Sequence, residues 1–349
     1  MTGGVRAGVC VPVFANPGRR MFRTPGYASL DAAATMAYAV GADRLGYDSL
    51  WVADHLMLGA GEAILEGWTV LAGLATATRR CRLGIIHQSH YFRHPGIVAN
   101  MAATIDRISG GRFVYFVDYG LMDREHGAYG IARPDGADER AAEVEEGIEV
   151  CERLWAGGPV DFDGRRHRLR GAVCAPAPVQ RPHPPIWIGE DRPAMLRVAA
   201  RHAQGWNTTP VSVEGLRERL EKLAAACAAE ERPYDSIEKS AELQVLVAAD
   251  EDALRRAVGR LVALARDVPE DDPIAAYASG AGGAGARPAL PHHTVMGTPD
   301  EVAAGLGAYV AAGASHFLLW FLDAPEQDGM ALFAERVLPA LRGATVSGG

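Results

Sequence analysis

The chain has 349 residues, of which 48% are apolar and 22% are charged, and its formal net charge is −8. This composition is typical of a globular protein, and the lack of a basic excess argues against nucleic acid or an anionic membrane surface as a partner. No apolar run approaches the roughly 20 residues that a membrane-spanning helix needs. The five cysteines are scattered without metal-binding spacing, so we expect no disulfide framework, no zinc site and a reducing, cytoplasmic setting.

Short apolar runs alternate with longer amphipathic segments along the chain. Strands are predicted at 8–13, 49–53, 83–87, 113–118, 186–189, 205–208, 242–248 and 316–322. Helices are predicted at about 29–46, 64–79, 95–108, 137–156, 193–203, 213–230, 251–266, 299–312 and 327–341. About eight strand–helix units in series, with strands too apolar to have one face in water, predict an α/β fold of the (β/α)8 TIM-type barrel class.

Two stretches interrupt this alternation, after the fourth and the seventh strand–helix units. Residues 157–185 are predicted to form a short β excursion and a proline-stiffened return. Residues 267–291 contain A-S-G-A-G-G-A-G-A, which fits either a mobile lid, centred on 276–286, or a disordered surface loop. No linker of domain size appears, so we interpret residues 1–349 as a single domain.

Polar residues stand where the predicted strands end, and in such a barrel the catalytic groups lie at the carboxyl ends of the strands. Polar strand ends are also expected simply because they meet water. The combination of His55, His87 and Asp118 nevertheless favours an active site. His55 can exchange a proton near neutral pH, so it is a candidate acid–base group, or else an imidazole held by its loop. Tyr119 offers an aromatic ring and a hydroxyl group to a ligand, or else it is a packing residue.

The segment Gly189-Glu190-Asp191-Arg192 follows a predicted strand and precedes a helix that starts with Pro193. Backbone amides at such a helix start bind phosphate, and the Arg192 guanidinium could add a charged contact. The carboxylates of Glu190 and Asp191 oppose phosphate only if their side chains point inward. No metal site is predicted, because the histidine pair at 292–293 lacks a third ligand at metal-like spacing.

Several stretches, taken in order, resemble the bacterial luciferase-like monooxygenase family. They are L-W-V-A-D-H (50–55), R-H-P-G-I-V-A-N-M-A-A-T-I-D-R-I-S-G-G-R-F (93–113), G-L-M-D-R-E-H-G-A-Y-G (120–130), E-E-G-I-E-V-C-E-R-L-W (145–155), P-V-Q-R-P-H-P-P-I-W-I-G (178–189), A-R-H-A-Q-G-W (200–206) and M-G-T-P-D-E-V (296–302). The resemblance covers nearly the whole chain.

The resemblance implies a luciferase-like barrel that binds a reduced flavin, either FMN or the deazaflavin F420, at the strand ends. His55 falls on the position of the family's active-site histidine, and Ile86-His87 falls where a non-proline cis peptide often lies under the flavin ring. The segment from Gly189 to Met195 matches the phosphate-binding turn, and Arg140 lies near an arginine that reaches the same phosphate. The family also implies a small-molecule substrate, a separate reductase that supplies reduced FMN, and a homodimer.

The chain departs from the family pattern at two points. Asp118 stands where the luciferase has a cysteine, and its carboxylate would disfavour an anionic reduced flavin or serve as a base toward the substrate. The phosphate turn reads G-E-D where G-G-S is common. These departures bear on the substrate and the cofactor and leave the expected fold unchanged.

The leading hypothesis is a monooxygenase that uses reduced FMN and oxygen on a small organic substrate, with His55 and Asp118 as its catalytic residues. An F420-dependent hydride-transfer enzyme is one alternative. The acidic tail of F420 calls for extra basic residues, and beyond Arg93, Arg140 and Arg192 no basic cluster is evident. Two further alternatives are a non-catalytic flavin-binding relative, which the intact His55 opposes, and a barrel with a cofactor-free reaction.

Overall fold

The computed structural model describes residues 4–15, 28–120, 122–265, 272–280, 287 and 293–344. The strands in these ranges are β1 (Arg6–Cys10), β2 (Ser49–Val52), β3 (Arg82–Ile85), β4 (Gln88–Ser89), β5 (Phe113–Asp118), β6 (Val160–Asp163), β7 (Arg168–Ala172), β8 (Ile186–Gly189), β9 (Gly205–Thr208), β10 (Glu238–Val247), β11 (Thr294–Gly297) and β12 (His316–Phe321). The helices are α1 (Ala32–Leu45), α2 (Gly67–Ala77), α3 (Pro95–Ser109), α4 (Asp123–Ala128), α5 (Ala137–Ala156), α6 (Pro193–His202), α7 (Val213–Ala229), α8 (Glu251–Leu264), α9 (Pro273–Ser279), α10 (Pro299–Ala311), α11 (Asp328–Arg336) and α12 (Leu338–Gly343).

Eight parallel strands close into a barrel in the order β1-β2-β3-β5-β8-β9-β10-β12, with β12 hydrogen-bonded back to β1. They correspond to the eight strands predicted from the sequence, so the (β/α)8 barrel is confirmed. Two further parallel strands were not predicted: β4 pairs with β5, and β11 pairs with β10. β4 has only two residues, which is too few for a strand period to stand out, and β11 is only partly buried, so it lacks the fully buried apolar run that is typical of a barrel strand.

Aromatic rings fill the barrel interior. The ring of Trp51 lies 4.9 Å from that of Trp187 and 5.9 Å from that of Phe116. Glycines on neighbouring strands make room for these rings, because a Cβ at Gly84 would lie 2.3 Å from Trp51 and one at Gly205 would lie 2.1 Å from Trp187. The interior is therefore a packed core, and the strand ends are where a ligand can bind.

The segments between barrel strands differ from the predictions in detail. A hairpin of β6 and β7 lies within residues 157–185, where the sequence predicts a β excursion. Only α9 and a few neighbours of the stretch 267–291 are described, so most of the predicted lid lies outside the described residues. The helix predicted at 327–341 divides into α11 and α12 at Val337, because Pro339 cannot supply the N–H that would continue the first helix. Among the described helices, none is long and apolar enough to cross a bilayer.

Candidate active site

The polar residues at the strand ends converge on one face of the barrel. They follow β2, β3, β5, β8 and β9, which are successive strands around the ring. The predicted site residues that this face carries are His55, His87, Asp118, Tyr119, Gly189, Glu190, Asp191 and Arg192, joined by Arg140 from α5. The sequence-based expectation of a polar cluster at the carboxyl face therefore has a geometric counterpart.

His55 is held by a residue that the sequence analysis did not single out. Its Nδ1 atom lies 2.8 Å from Oε1 of Glu125, a buried residue of α4. The other carboxylate oxygen, Oε2, accepts hydrogen bonds from the backbone N–H groups of Leu56 at 2.8 Å and Met57 at 3.4 Å. Burial acts to raise the pKa of Glu125, but the contacts with His55 and these amides outweigh it, so the pKa is lowered.

Asp54, the neighbour of His55, has a different partner. The Arg93 guanidinium donates to both oxygens of the buried Asp54 carboxylate, at 2.7 and 3.0 Å, and to Glu66 at 2.6 Å. Asp54 and His55 both follow β2 and have separate partners, Arg93 for Asp54 and Glu125 for His55. Arg93 is thus engaged in an ion-pair network and is not one of the cations that face the phosphate turn.

The Ile86–His87 peptide bond is cis, as the resemblance implies. The His87 ring lies 4.9 Å from Phe116 at the top of the aromatic core. Its Nδ1 atom lies 3.5 Å from Oδ2 of Asp118, and its Nε2 atom lies 3.9 Å from Oε2 of Glu242 on β10. Two buried carboxyl groups therefore flank one imidazole in the mouth of the barrel.

Asp118 is buried, with only 4% of its surface exposed. This burial raises its pKa to about 7, although the hydrogen bond from Gly120 N–H to Oδ1 at 2.7 Å acts in the opposite direction. The negative charge of Glu190 adds to the increase. The carboxyl group is therefore poised to gain or lose a proton near neutral pH, which weakens the objection that it would repel an anionic flavin.

The predicted phosphate turn has an open helix start. Helix α6 begins at Pro193, and its N-cap residue Arg192 makes no side-chain cap, whereas Ser212 caps α7 and Asp250 caps α8. The first N–H groups of a helix have no partner within the helix and can bind an anion. Met195 is 1% exposed and packs in the core, so its side chain is not available to a ligand.

The half-buried Glu190 and the buried Tyr119 form one hydrogen-bonded unit at this turn. Glu190 has a left-handed backbone with φ of 93°, and its Oε2 atom accepts a hydrogen bond from the Tyr119 hydroxyl at 3.1 Å. Burial raises the pKa of both side chains. The guanidinium carbons of Arg192 and Arg140 lie 5.3 and 5.9 Å from the centre of the Tyr119 ring, within the range of cation–π attraction.

Asp191 turns toward α7 and is neutralised there. Its Oδ2 atom lies 3.2 Å from Nε of Arg219 and 3.9 Å from Nζ of Lys222. The structure thus brings four cations around the turn, namely Arg140, Arg192, Arg219 and Lys222. The expectation that no basic cluster is present was wrong, because the cluster joins residues that are far apart in the chain.

Four residues of this region were not assigned a role from the sequence. They are Glu125, Asn207, Arg219 and Glu242. Glu242 could have been noticed in the sequence, because an acidic residue inside an apolar strand is rarely buried without a partner. In the structure its carboxylate accepts a hydrogen bond from Nε1 of Trp320 at 2.7 Å. In the part of the chain that the structure describes, no group of three or more His, Cys, Asp or Glu side chains could hold a metal ion.

The fold and the site define a class, that of (β/α)8-barrel proteins with a polar site at the carboxyl face of the strands. Within this class, the model of the luciferase-like monooxygenase family matches residues 13–316, and the chain belongs to that family.

Relatives of known activity include both kinds of enzyme that the sequence analysis considered. An F420-dependent glucose-6-phosphate dehydrogenase of Microbacterium testaceum is 28% identical over 314 residues, which cover 87% of this chain and 92% of the relative. The structure of monooxygenase RslO1 from Streptomyces bottropensis is 26% identical, with a TM-score of 0.72 over 96% of this chain and 99% of that one. The long-chain alkane monooxygenase LadA, 18% identical, shares the fold with a TM-score of 0.78 over 98% and 92% of the two chains.

Proposed function

We propose that this protein is a monooxygenase that uses reduced FMN and oxygen on a small organic substrate. The observation that carries the proposal is that one face of the barrel holds both the His55–Glu125 pair and the open start of α6. The histidine pair can exchange a proton, and the helix start can bind a phosphate group. A phosphorylated flavin needs both functions within one site.

The negative charges of the two carboxylates of the turn are partly offset, which supports phosphate binding there. Asp191 faces Arg219 and Lys222, which offset its negative charge. Burial raises the pKa of Glu190, which reduces its negative charge at a given pH. Both features support phosphate binding at a turn that reads G-E-D.

The charges that remain suit a single phosphate group. The guanidinium groups of Arg140 and Arg192 lie over the ring of Tyr119. Nε of Arg192 also lies 3.7 Å from Oε2 of Glu190. These two cations, one partly offset by Glu190, match the charge of FMN phosphate. A longer acidic tail would need cations that are not already facing a carboxylate.

Reduced FMN, when bound, supplies the electrons for the reaction of oxygen with the substrate. The residues of the chain would then hold protons and exclude water. His55 has Nδ1 engaged by Glu125, which leaves Nε2 as the atom that can accept or release a proton. Asp118, with a pKa of about 7, can do so from β5. The aromatic core beneath the site keeps water out from below.

An F420-dependent hydride-transfer reaction is the second candidate. Two curated relatives, 28% and 25% identical, are F420-dependent glucose-6-phosphate dehydrogenases. The half-buried Arg219 and the exposed Lys222, which both face Asp191, are the further cations near the turn that an acidic tail could contact. This candidate uses the same helix start and the same histidine pair.

Anaerobic titration of the protein with reduced FMN and, separately, with reduced F420 tests the proposal, followed by an oxygen pulse monitored by absorbance. Tight binding of FMN and rapid, protein-dependent oxygen chemistry would support the monooxygenase. Tight binding of F420 without oxygen chemistry would overturn it in favour of hydride transfer. Binding of FMN with no effect on its reaction with oxygen would indicate a non-catalytic flavin-binding protein. If neither FMN nor F420 bound, the turn would not be a phosphate site.

A further inference from the structure

Glu125 engages the loop after β2 with both of its carboxylate oxygens. Oε1 faces the imidazole of His55 at 2.8 Å, and Oε2 faces the backbone N–H groups of Leu56 and Met57. The Glu125 side chain is only 3% exposed, whereas that of His55 is 24% exposed. One buried group therefore controls both the ring and the backbone that carries the ring.

The direction of these hydrogen bonds follows from the chemistry of the partners. A backbone N–H can only donate, so Oε2 must act as an acceptor for Leu56 and Met57. Ionised Glu125 can only accept, and the same contacts hold its pKa below the usual range. The Nδ1 atom of His55 must therefore carry a hydrogen, and in the neutral ring Nε2 is the nitrogen without one.

The backbone of α4 is fixed independently of Glu125. The next residue, His126, lies 2.8 Å from the hydroxyl of Ser89 through Nε2 and 2.7 Å from the carbonyl oxygen of Met122 through Nδ1. Its ring also stacks on Phe92 at 4.7 Å between centres. Substitution of Glu125 therefore leaves other contacts that hold α4 against β4 and the segment that follows it.

We propose that Glu125 is a positioning residue that fixes His55 as the Nδ1–H tautomer, so that Nε2 is presented to the site as a proton acceptor. The proposal rests on the proposed function only in taking His55 as the group that exchanges a proton with the reacting molecules. Glu125 itself acts through His55 and through the loop.

A Glu125→Gln variant distinguishes this role from simple support of the loop. The amide has one oxygen and one NH2 group, and the two backbone N–H groups require the oxygen. The NH2 group must then face Nδ1 of His55 and donate to it. We expect the ring to change to the Nε2–H tautomer, with little change in the fold. A matched control is Glu143→Gln, which alters another buried glutamate, one that lies on α5 and is ion-paired with Arg166.

The tautomer is read from two-bond 1H–15N correlation spectra of histidine-labelled, cofactor-free protein at pH 8.5, well above the ordinary histidine pKa of about 6.5. His55 is assigned with a His55→Gln variant. Wild type and Glu143→Gln are expected to show a protonated Nδ1 and a bare Nε2, and Glu125→Gln the reverse. An Nε2–H tautomer in wild type, or an unchanged tautomer in Glu125→Gln, would overturn the proposal whatever cofactor the protein uses.

A second measurement connects the tautomer to turnover. Once a substrate is in hand, Glu125→Gln is expected to lower kcat by about 10²- to 10⁴-fold, the usual contribution of a general acid–base group. KM and the Kd for FMN, measured by calorimetry, should change by less than threefold. If wild type does not bind FMN, the proposed function is overturned, but the tautomer result is unaffected. If Glu125→Gln lowers kcat and the affinity for FMN by equal factors, Glu125 has a structural role.

Discussion

Oδ2 of Asp118 lies 3.5 Å from Nδ1 of His87, directly after the cis peptide bond that Ile86 forms with His87. Asp118 is buried, and its pKa is raised to about 7 mainly by that burial. Near neutral pH the carboxyl is thus divided between its neutral and its charged form. The site can store one proton there without any change in the fold.

An Asp118→Asn variant should change the pH dependence of stability. Because the folded pKa lies above the ordinary value, the benefit of a protonated Asp118 is complete below about pH 4 and is lost as the pH rises through about 7. Asparagine resembles the protonated acid and can still accept from Gly120. The stability of the variant relative to wild type should therefore rise between pH 4 and 7. At pH 8 the free energy of unfolding of the variant should exceed that of wild type by up to about 4 kcal/mol.

Urea unfolding at unit intervals from pH 4 to pH 8 measures this difference. The exposed Asp135, changed to Asn, serves as the control and should give curves parallel to wild type over this range. A constant difference between Asp118→Asn and wild type from pH 4 to 8 would mean that the folded carboxyl titrates at an ordinary pKa.

Arg219→Met should weaken the binding of phosphorylated flavin. It removes the closest cation from Asp191, whose carboxylate then stands beside the helix start with only Lys222 at 3.9 Å. A unit charge a few ångströms from the phosphate in partly aqueous surroundings corresponds to a loss of about three- to tenfold in affinity. Calorimetry with FMN and with riboflavin measures the loss, which should be confined to FMN.

The double variant Asp191→Asn with Arg219→Met isolates the electrostatic part. Arg219 also donates to Thr209, so some of its effect can come from the loop after β9. Recovery of FMN affinity in the double variant would confirm that charge is responsible. Equal weakening in the single and the double variants would assign the effect to the loop.

Arg93→Met should destabilise the protein strongly. The Arg93 guanidinium makes two hydrogen bonds to Asp54, which is 2% exposed, and its loss leaves a buried carboxylate without its cation. Breaking such a pair costs about 3–5 kcal/mol. Arg124→Met provides the contrast, because Arg124 is 69% exposed in its pair with Glu62 and its loss should cost less than about 1 kcal/mol. If chemical denaturation showed similar losses in the free energy of unfolding for Arg93→Met and Arg124→Met, the difference in burial between the two ion pairs would be contradicted.

Gly205→Ala should destabilise the barrel. The added Cβ would lie 2.1 Å from the ring of Trp187, which is fully buried and cannot move aside without displacing Trp51. Such overpacking costs about 1–3 kcal/mol. The comparison is Gly307→Ala in α10, where nothing lies within 4 Å of the new Cβ and a gain of about 0.5–1 kcal/mol is expected. Thermal or denaturant unfolding that ranks the two variants in the opposite order would refute this account of the core.

The barrel could be predicted because its eight strands are continuous apolar runs separated by amphipathic helices. That signal is local, and β5 has the bounds that the sequence predicts. The short strands β4 and β11 carry no such period. Their pairing depends on the neighbours β5 and β10, which a local pattern cannot reveal.

The site was predictable only where one strand end supplied the residue. His55, His87 and Asp118 each follow or end an apolar run, so their positions at the carboxyl face follow from the fold. Glu125 meets His55 across 70 residues of sequence, and its short helix shows no apolar period. Arg219 meets Asp191 through the packing of α7, a tertiary contact that charge counting along the chain does not detect.

Trp206 gives the protein an optical reporter of its own. The side chain is fully buried, and its indole N–H donates to the carbonyl oxygen of Glu190 at 2.8 Å, at the left-handed residue of the phosphate turn. Indole emission responds to its hydrogen bonds, and a nearby isoalloxazine accepts its excitation energy. A ligand that reaches the turn should therefore dim or shift the native fluorescence without any added dye. Comparison with Trp206→Phe separates this emission from that of the other five tryptophans, and the difference spectrum would report on the turn alone.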